Sequence, residues 1–433
     1  MRSEDKISKN IDWPTVLFYG IFVLSGWLNI FAAVYDTEAQ QNIFDFSLNS
    51  GKQLIWIGTA IILIIIINAI DYKFYSTFSY IIYAAIILLC LITIFLGTEV
   101  KGSKSWFELG SLRIQPAEFA KFATALALSN YLGRINIKFE KRQTQAIVAG
   151  IVGLPALLIL LQNETGTVLV FSAFILVLFR EGLSPYILIF GVVSISLFIL
   201  ALIFDQIYIM QGLVVVAILI IINILSSLRR KSVKIKTVAT KSFLTIAACI
   251  ISMGIVFSVN FLMYKVLQPH QRKRILVLVD PDIDPLGNGY QVTQSKIAIG
   301  SGEFLGKGFL QGTQTKFDFV PDQSTDFIFC TIGEEHGWLG SCILIILYIL
   351  FLMRLVYLAE RQKDKFARIY GYSVACIIFI HFTINIGMTI GIFPVIGIPL
   401  PFFSYGGSSL WSFTILLFIF LKLDAHRRQL LSH

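Results

Sequence analysis

Apolar runs of about 17 to 25 residues recur along most of this chain, the length an α-helix needs to cross a hydrocarbon layer of roughly 30 Å. Inside such a layer the backbone finds no water, so each run is read as a helix with its amides bonded within the segment. The runs fall at 14–34, 52–70, 76–97, 117–133, 145–161, 164–181, 185–204, 206–227, 243–266, 328–356, 369–393 and 408–424, twelve crossings in 433 residues. Only 14% of the residues are charged, against about 25% in an ordinary soluble domain. No soluble domain, low-complexity linker or short repeat interrupts the pattern, and no inverted repeat of the transporter kind is visible. The chain reads as one all-α, polytopic membrane domain spanning 1–433.

The formal net charge of +9 would also suit a nucleic-acid binder, but the cations gather in short loops, where they set orientation instead, so no nucleic acid is expected. With the N-terminus inside, Arg134, Lys138, Lys141 and Arg142 fall on the inner side. So do Arg229, Arg230, Lys231, Lys234 and Lys236, then Arg361, Lys363, Lys365 and Arg368, and Arg427 and Arg428 in the tail. Outer loops near 35–51, 162–166 and 394–407 hold almost none, which places both termini in the cytoplasm. The polar Met1 to Asn10 stretch and the lack of a small-residue cleavage site make the first run an anchor rather than a removable signal. Cys90, Cys249, Cys330, Cys342 and Cys376 lie in or beside apolar spans without metal spacing and read as apolar fillers.

Three outer stretches depart from the apolar pattern: 98–121, 267–336 and 385–409. The second is a glycine-rich loop of about 60 residues, 267–327 before its apolar end, and loops of that length are usually functional or disordered. Its aromatic and aliphatic residues, Tyr290, Ile297, Phe304, Phe309 and Phe317 among them, need an apolar surface, so an ordered loop on the bilayer or bundle is expected. The third is apolar yet crowded with breakers at Gly391, Pro394, Gly397, Pro399, Pro401, Gly406 and Gly407. Non-helical backbone at membrane depth survives only where protein or a wet cavity satisfies it, so 391–407 is read as a broken, re-entrant segment lining a cavity.

These stretches bring carboxylates and cations together with aromatic residues. Pro116 sits where a helix would begin, which puts Glu118 and Lys121 on one face of its first turn. The same spacing also serves a plain helical ion pair, and Trp106 a plain interfacial anchor. At the far end of the long loop, Asp326 stands where polar loop becomes apolar helix. A carboxylate partly withdrawn from water is a candidate general base, but an N-cap or a solvated carboxylate fits too, and spacing does not choose among Asp318, Asp322 and Asp326. Glu164 and Glu335 are outer-face carboxylates with equally plain structural roles.

At these residues the chain resembles the SEDS family (shape, elongation, division and sporulation) of membrane-embedded peptidoglycan polymerases. The resemblance rests on Gly102 to Trp106 with Gln115-Pro-x-Glu-x-x-Lys121, on Asp280-Pro-x-x-Asp-Pro-x-Gly-x-Gly-Tyr-Gln291, on Ile297-Ala-Ile-Gly-Ser-Gly302, and on Gly306-Lys-Gly with Gly312-Thr-Gln. It continues through Thr325-Asp-Phe-Ile-Phe329 and Asn385 to Ser409, about half the chain in the family's order. The Pro394-Val-Ile-Gly-Ile-Pro-Leu-Pro401 form looks like the elongation (RodA) branch rather than the division (FtsW) branch.

The resemblance implies glycan-strand polymerisation from lipid II in cell elongation and shape, with undecaprenyl pyrophosphate leaving and the sugar inverting. It implies a bacterial cytoplasmic membrane location with the site on the outer face, contact with membrane lipids, and a class B penicillin-binding protein as transpeptidase partner. Asp326 matches the family's essential aspartate, and Trp106, Glu118 and Lys121 match functional positions. Arg113, Gln115, Thr325 and Glu335 are supporting candidates, and Lys121, Arg113 or Arg272 to Arg274 would neutralise the leaving group. A metal site is not evident; a divalent cation, magnesium or manganese, is the candidate cofactor. The chain departs from the family's pattern at Ser105 (usually Arg), Ala117 (Ser), Glu164 (Asp) and Glu303 (Gly). It also carries two spans beyond the family's ten, read as an inserted helical pair within 185–241. The rival function is a flippase or transporter of a lipid-linked precursor; a third reading is a scaffold for a transpeptidase.

Overall fold

The computed structural model describes residues 10–35, 42–100, 102–110, 112–229, 235–267, 269–285, 287–317 and 319–427. Asp318, Arg230, Lys231, Lys234, Arg428 and the stretch before Asn10 lie outside these residues. The chain divides into two compact units, one from the residues up to Leu183 together with those from Gln291 on, the other from Ser184–Tyr290.

In chain order the elements are α1 (Trp13–Val34), α2 (Asn49–Ala69), α3 (Tyr72–Thr77), α4 (Ser79–Leu96), β1 (Thr98–Val100), β2 (Ser103–Leu109), β3 (Leu112–Ile114), α5 (Pro116–Gly133), α6 (Arg142–Leu161), α7 (Thr165–Val170) and α8 (Ala173–Arg180). The second unit holds α9 (Pro185–Ile203), α10 (Gln206–Arg229), α11 (Ile235–Phe261) and α12 (Pro269–Leu276). Then follow α13 (Asn288–Ser301), α14 (Thr313–Lys316), α15 (Ile328–Glu360), α16 (Lys365–Thr389) and α17 (Gly407–Ala425).

Among the described residues, ten helices are long and apolar enough to cross a membrane. The other two expected crossings are α5 and the short pair α7 and α8. α5 contains a buried carboxylate and a buried ammonium, and Ala, Ser and Thr take the place of larger apolar residues. It is enclosed by protein on most sides, so it does not need the hydropathy that a lipid-facing helix needs. α16 and α17 are similarly enclosed, 78% and 83% buried over their most apolar windows. In the second unit α10 has no fully buried residue over its window and packs against α11, leaving most of an all-round apolar surface uncovered, as a lipid-facing helix should. α9 and α10 occupy the stretch expected to hold the inserted pair.

The first unit's core is aromatic. Phe22 stacks on Tyr348 at 4.2 Å between ring centres, and Tyr348 on Phe382 at 4.8 Å. Such pairs add about 0.5–1.5 kcal/mol each beyond their burial. At the opposite end of α1 from its outer loop, Asp12 caps the helix by accepting from the Thr15 amide at 3.2 Å and takes Arg354 through both carboxylate oxygens. Burial works to raise the Asp12 pKa, but Arg354 and Thr15 outweigh it and hold the carboxylate below its usual value.

Two features depart from the expectation of an all-α chain with one plain loop. Residues 98–114 form an antiparallel three-stranded sheet in the order β1-β2-β3. The long loop is ordered, as its apolar residues require, but it is built from helices α12, α13 and α14 joined by tight turns.

Candidate active site

β2 pairs on both sides, with Thr98 opposite Trp106 and Glu108 opposite Arg113. Alternation along a strand sends Ser103 and Ser105 to one face and Lys104 and Trp106 to the other. The first face is closed: Ser105 and Ser103 are buried, and both donate to Glu164 Oε2, Ser105 at 3.0 Å. Ser103 also donates to the Gln162 carbonyl at 3.0 Å, and the Lys104 amide to the same carbonyl at 3.2 Å. On the second face Lys104 is exposed and Trp106 half-buried. Arg113 reaches Glu108 at 2.8 Å, both largely in solvent.

β3 leads through Gln115 into α5, where Pro116 occupies the first turn and lacks only an amide that would be unbonded anyway. The Gln115 amide donates to Ser408 Oγ at 3.2 Å, and Ser408 donates to the Arg113 carbonyl at 3.2 Å, which ties this corner to the start of α17. One turn into α5, Lys121 Nζ lies 2.8 Å from Glu118 Oε2 and 2.9 Å from His381 Nε2 on α16, with 4.6 Å to the Phe413 ring centre. An ammonium only donates, so His381 Nε2 accepts and its Nδ1–H is left to donate to the Pro399 carbonyl at 3.3 Å. One turn along α16, Asn385 Nδ2 donates to the carbonyls of Asp326 and Ile398, both at 2.8 Å.

The segment between α16 and α17 is non-helical from Gly391 to Gly406, and Val395, Ile398, Leu400, Phe402, Phe403 and Ser404 are buried in it. Its freed backbone groups are met by His381, Asn385, Ser404 and Tyr348, whose hydroxyl donates to the Pro401 carbonyl at 2.6 Å. Phe402 takes a left-handed φ of 65° and is held there by Tyr19, Phe351 and Phe413. Asp326 lies in the turn just before α15, half-buried. Ser404 donates to the Thr325 carbonyl at 2.6 Å, and the Tyr405 amide to the Ser324 carbonyl at 2.9 Å. At Gly397, whose φ is +76°, a β-carbon would sit 3.2 Å from Asp326 Oδ2, so the broken segment passes directly beside the carboxylate.

α15 is itself broken at Gly337, whose φ of 64° and ψ of −159° only glycine adopts readily. The groups released by the break are paired with the long loop. The Lys307 and Gly308 amides donate to the Glu334 and Glu335 carbonyls at 3.0 and 2.9 Å, and the Trp338 and Leu339 amides to Glu303 and Phe304 at 2.9 and 3.1 Å. The fully buried Glu334 side chain gathers the amides of Thr313, Gln314 and Thr315 at 2.7 to 2.9 Å and Lys307 Nζ at 2.6 Å. Glu335 accepts from the Leu310 amide at 3.1 Å. Glu334 organises the loop through these donors, while Glu335 meets it through one oxygen and its Oε2 is buried without a hydrogen-bond partner among the described residues.

The structure thus brings Glu118, Lys121, the Thr325–Asp326 turn and the broken segment to one place. Lys121, with its side chain 1% exposed, is enclosed by protein. On α16, His381 meets Lys121, and Asn385, one turn along, holds the Asp326 carbonyl. His381 escaped sequence reading because it is one polar residue in an apolar span; its signal was being an ionisable group inside a crossing. Of the expected phosphate cations, Arg113 is accessible. In the second unit Arg272 rests 4.4 Å over the Tyr264 ring and Lys273 lies 3.3 Å from Asp284. The Asn288 amide and Lys273 hold the Asp284 carboxyl below its usual pKa. Among the described residues no three His, Cys, Asp or Glu side chains converge as a metal cage.

A family model described as cell cycle protein, covering FtsW, RodA and SpoVE, matches residues 13–215 and 206–429. The chain is 33% identical over 389 residues to the peptidoglycan glycosyltransferase RodA of Treponema pallidum (strain Nichols), covering 87% of this chain and 89% of that one. It is 32% identical over 375 residues to the peptidoglycan glycosyltransferase MrdB of Escherichia coli (strain K12), covering 86% and 85%. Among solved structures, a chain of a peptidoglycan synthase complex that coordinates polymerization and crosslinking superposes with a TM-score of 0.71 at 24% identity, over 97% of this chain and 99% of that chain. With buried charges, a broken segment and a loop-borne carboxylate assembled on the same frame, this multi-pass membrane protein belongs to the FtsW, RodA and SpoVE family of cell cycle proteins.

Proposed function

We propose that this chain is a peptidoglycan glycosyltransferase of the elongation type, which joins lipid II units into glycan strands on the outer face of a bacterial cytoplasmic membrane. The observation that carries this reading is the placement of Asp326. Its carboxylate stands half-buried just before a helix, beside the broken segment, with its own carbonyl held by Asn385 and the preceding Thr325 carbonyl by Ser404.

In the reaction, an acceptor sugar hydroxyl attacks the anomeric carbon of a second lipid II. The bond from that carbon to the pyrophosphate oxygen breaks, the electron pair leaves with undecaprenyl pyrophosphate, and the hydroxyl proton passes to Asp326. A single displacement of this kind inverts the anomeric centre. Arg113 is exposed and Lys296, also exposed, lies against Gly391 at the start of the broken segment, and these two are the cations proposed to meet developing phosphate charge.

A class B penicillin-binding protein is the proposed partner, since strand synthesis has to be followed by crosslinking. α9 and α10 are read as the inserted helical pair, facing lipid. Asp326→Asn, purified with the partner, is expected to lower glycan formation from lipid II by at least about 100-fold while folding unchanged. Wild-type polymerisation by that variant would refute Asp326 as base, and lipid II scrambling across vesicles without glycan formation would favour the flippase.

A further inference from the structure

Ser105 and Glu164, two of the chain's departures from its family's pattern, are in contact: the Ser105 hydroxyl donates to Glu164 Oε2 at 3.0 Å, and Ser103 donates to the same oxygen. We propose that Glu164 is a positioning residue for the active site, clamping the Trp106 strand to the wall beside Asp326. This rests on the polymerase reading above.

The clamp is built from both ends. On the hairpin side it takes the two hydroxyls of one strand face, so the opposite face, with Trp106 and Lys104, is presented outward. The turn carrying Glu164 is itself fixed. Gln162, buried, donates through Nε2 to the Cys90 carbonyl at 2.7 Å, and Asn163 takes a left-handed φ of 61° that throws the chain into α7. On the other side, two residues beyond Glu164, Gly166 packs so closely on the broken segment that a β-carbon there would meet the Ile396 carbonyl at 2.9 Å and the Ile398 side chain at 3.0 Å. Ile396 and Ile398 flank Gly397, the residue beside the Asp326 carboxylate. One turn therefore sets both the Trp106 strand and the backbone that borders the base.

The clamp depends on reach: Glu164 Oε2 meets both hydroxyls, and a side chain one methylene shorter would not close on them. In an aromatic platform held against a sugar, a shift of about 1 Å is enough to lower turnover by about 100-fold.

The test uses the purified protein with its transpeptidase partner, lipid II as probe, and amide hydrogen exchange as a second readout. Glu164→Ala should lower kcat by about 10- to 100-fold with KM changed less, and should speed exchange at 103–107 while α5 and α16 stay protected. Glu164→Asp, too short to close on both hydroxyls, should lose part of the rate, and Glu164→Gln, which keeps the reach, should retain most of it. Unchanged kcat in Glu164→Ala, even with faster exchange, overturns the positioning role. If the wild type itself makes no glycan, the polymerase reading fails, and with it the positioning claim.

Discussion

Two ion pairs in one stretch of sequence meet opposite fates. Arg113 and Glu108 face each other across two strands with side chains 62% and 36% exposed, whereas Lys121 and Glu118, a few residues on, are 1% and 6% exposed. Both bonds measure 2.8 Å. Equal length hides unequal energetics: water screens the first pair, whose contribution is about 0–1 kcal/mol. In the second, two charges have been taken out of water, and each is held only by the other and by His381, Phe413 and the packing around them. The exposed pair is free to exchange its partner for a ligand; the buried pair is committed to the fold.

That contrast is broken most sharply by Lys121→Ala, which strands Glu118 in the interior and should destabilise the protein by about 3–5 kcal/mol, read by unfolding in detergent. Replacing both, Lys121→Met with Glu118→Leu, should return most of that stability; a loss as large as the single variant's would mean that His381 needs the ammonium. Asn385→Leu comes next, since it releases the Asp326 and Ile398 carbonyls together and should cost about 1–3 kcal/mol, with polymerisation falling further than stability does. Arg113→Ala should change stability by less than about 1 kcal/mol yet lower lipid II turnover, and an unchanged rate would reduce this pair to surface decoration. Smallest is Glu303→Gly: Glu303 holds a φ of 50° where the family's pattern has glycine, so the change should stabilise by up to about 1 kcal/mol in the same unfolding measurement.

The lipid-crossing helices were legible because hydropathy over a span is a local property, and the Glu118 and Lys121 pair because three-residue spacing on a helix is local too. His381 was not, since its partner Lys121 is 260 residues away and nothing in the periodicity of α16 marks one histidine as special. The sheet at 98–114 was hidden by brevity: β1 and β3 have three residues each, too few for alternation to register, and the seven-residue β2 stands alone between them. Glu334 and Glu335 looked alike in sequence, and only the fold separates them: Glu334 is spent on loop backbone, whereas Glu335 keeps one buried oxygen without a partner among the described residues. Asp326 was singled out by resemblance, while its neighbours Gly397 and Asn385 became evident only when the broken segment was traced past it.

The break in α15 at Gly337 bears on how this sequence can drift. Its four ties to residues 303–308 are all made by main-chain atoms, so they do not specify which side chains the loop carries. Glutamate could enter at 303 for little more than its own strained φ, leaving every tie in place. Gly306 and Gly337 are different. Their backbones pass so close that a β-carbon on Gly337 would lie 2.3 Å from the Gly306 amide nitrogen. The seam is therefore written in close-packed glycines, Gly302 with them, on which a β-carbon would lie 2.0 Å from the Gly333 carbonyl, and sequence variation between these points should be wider than at them.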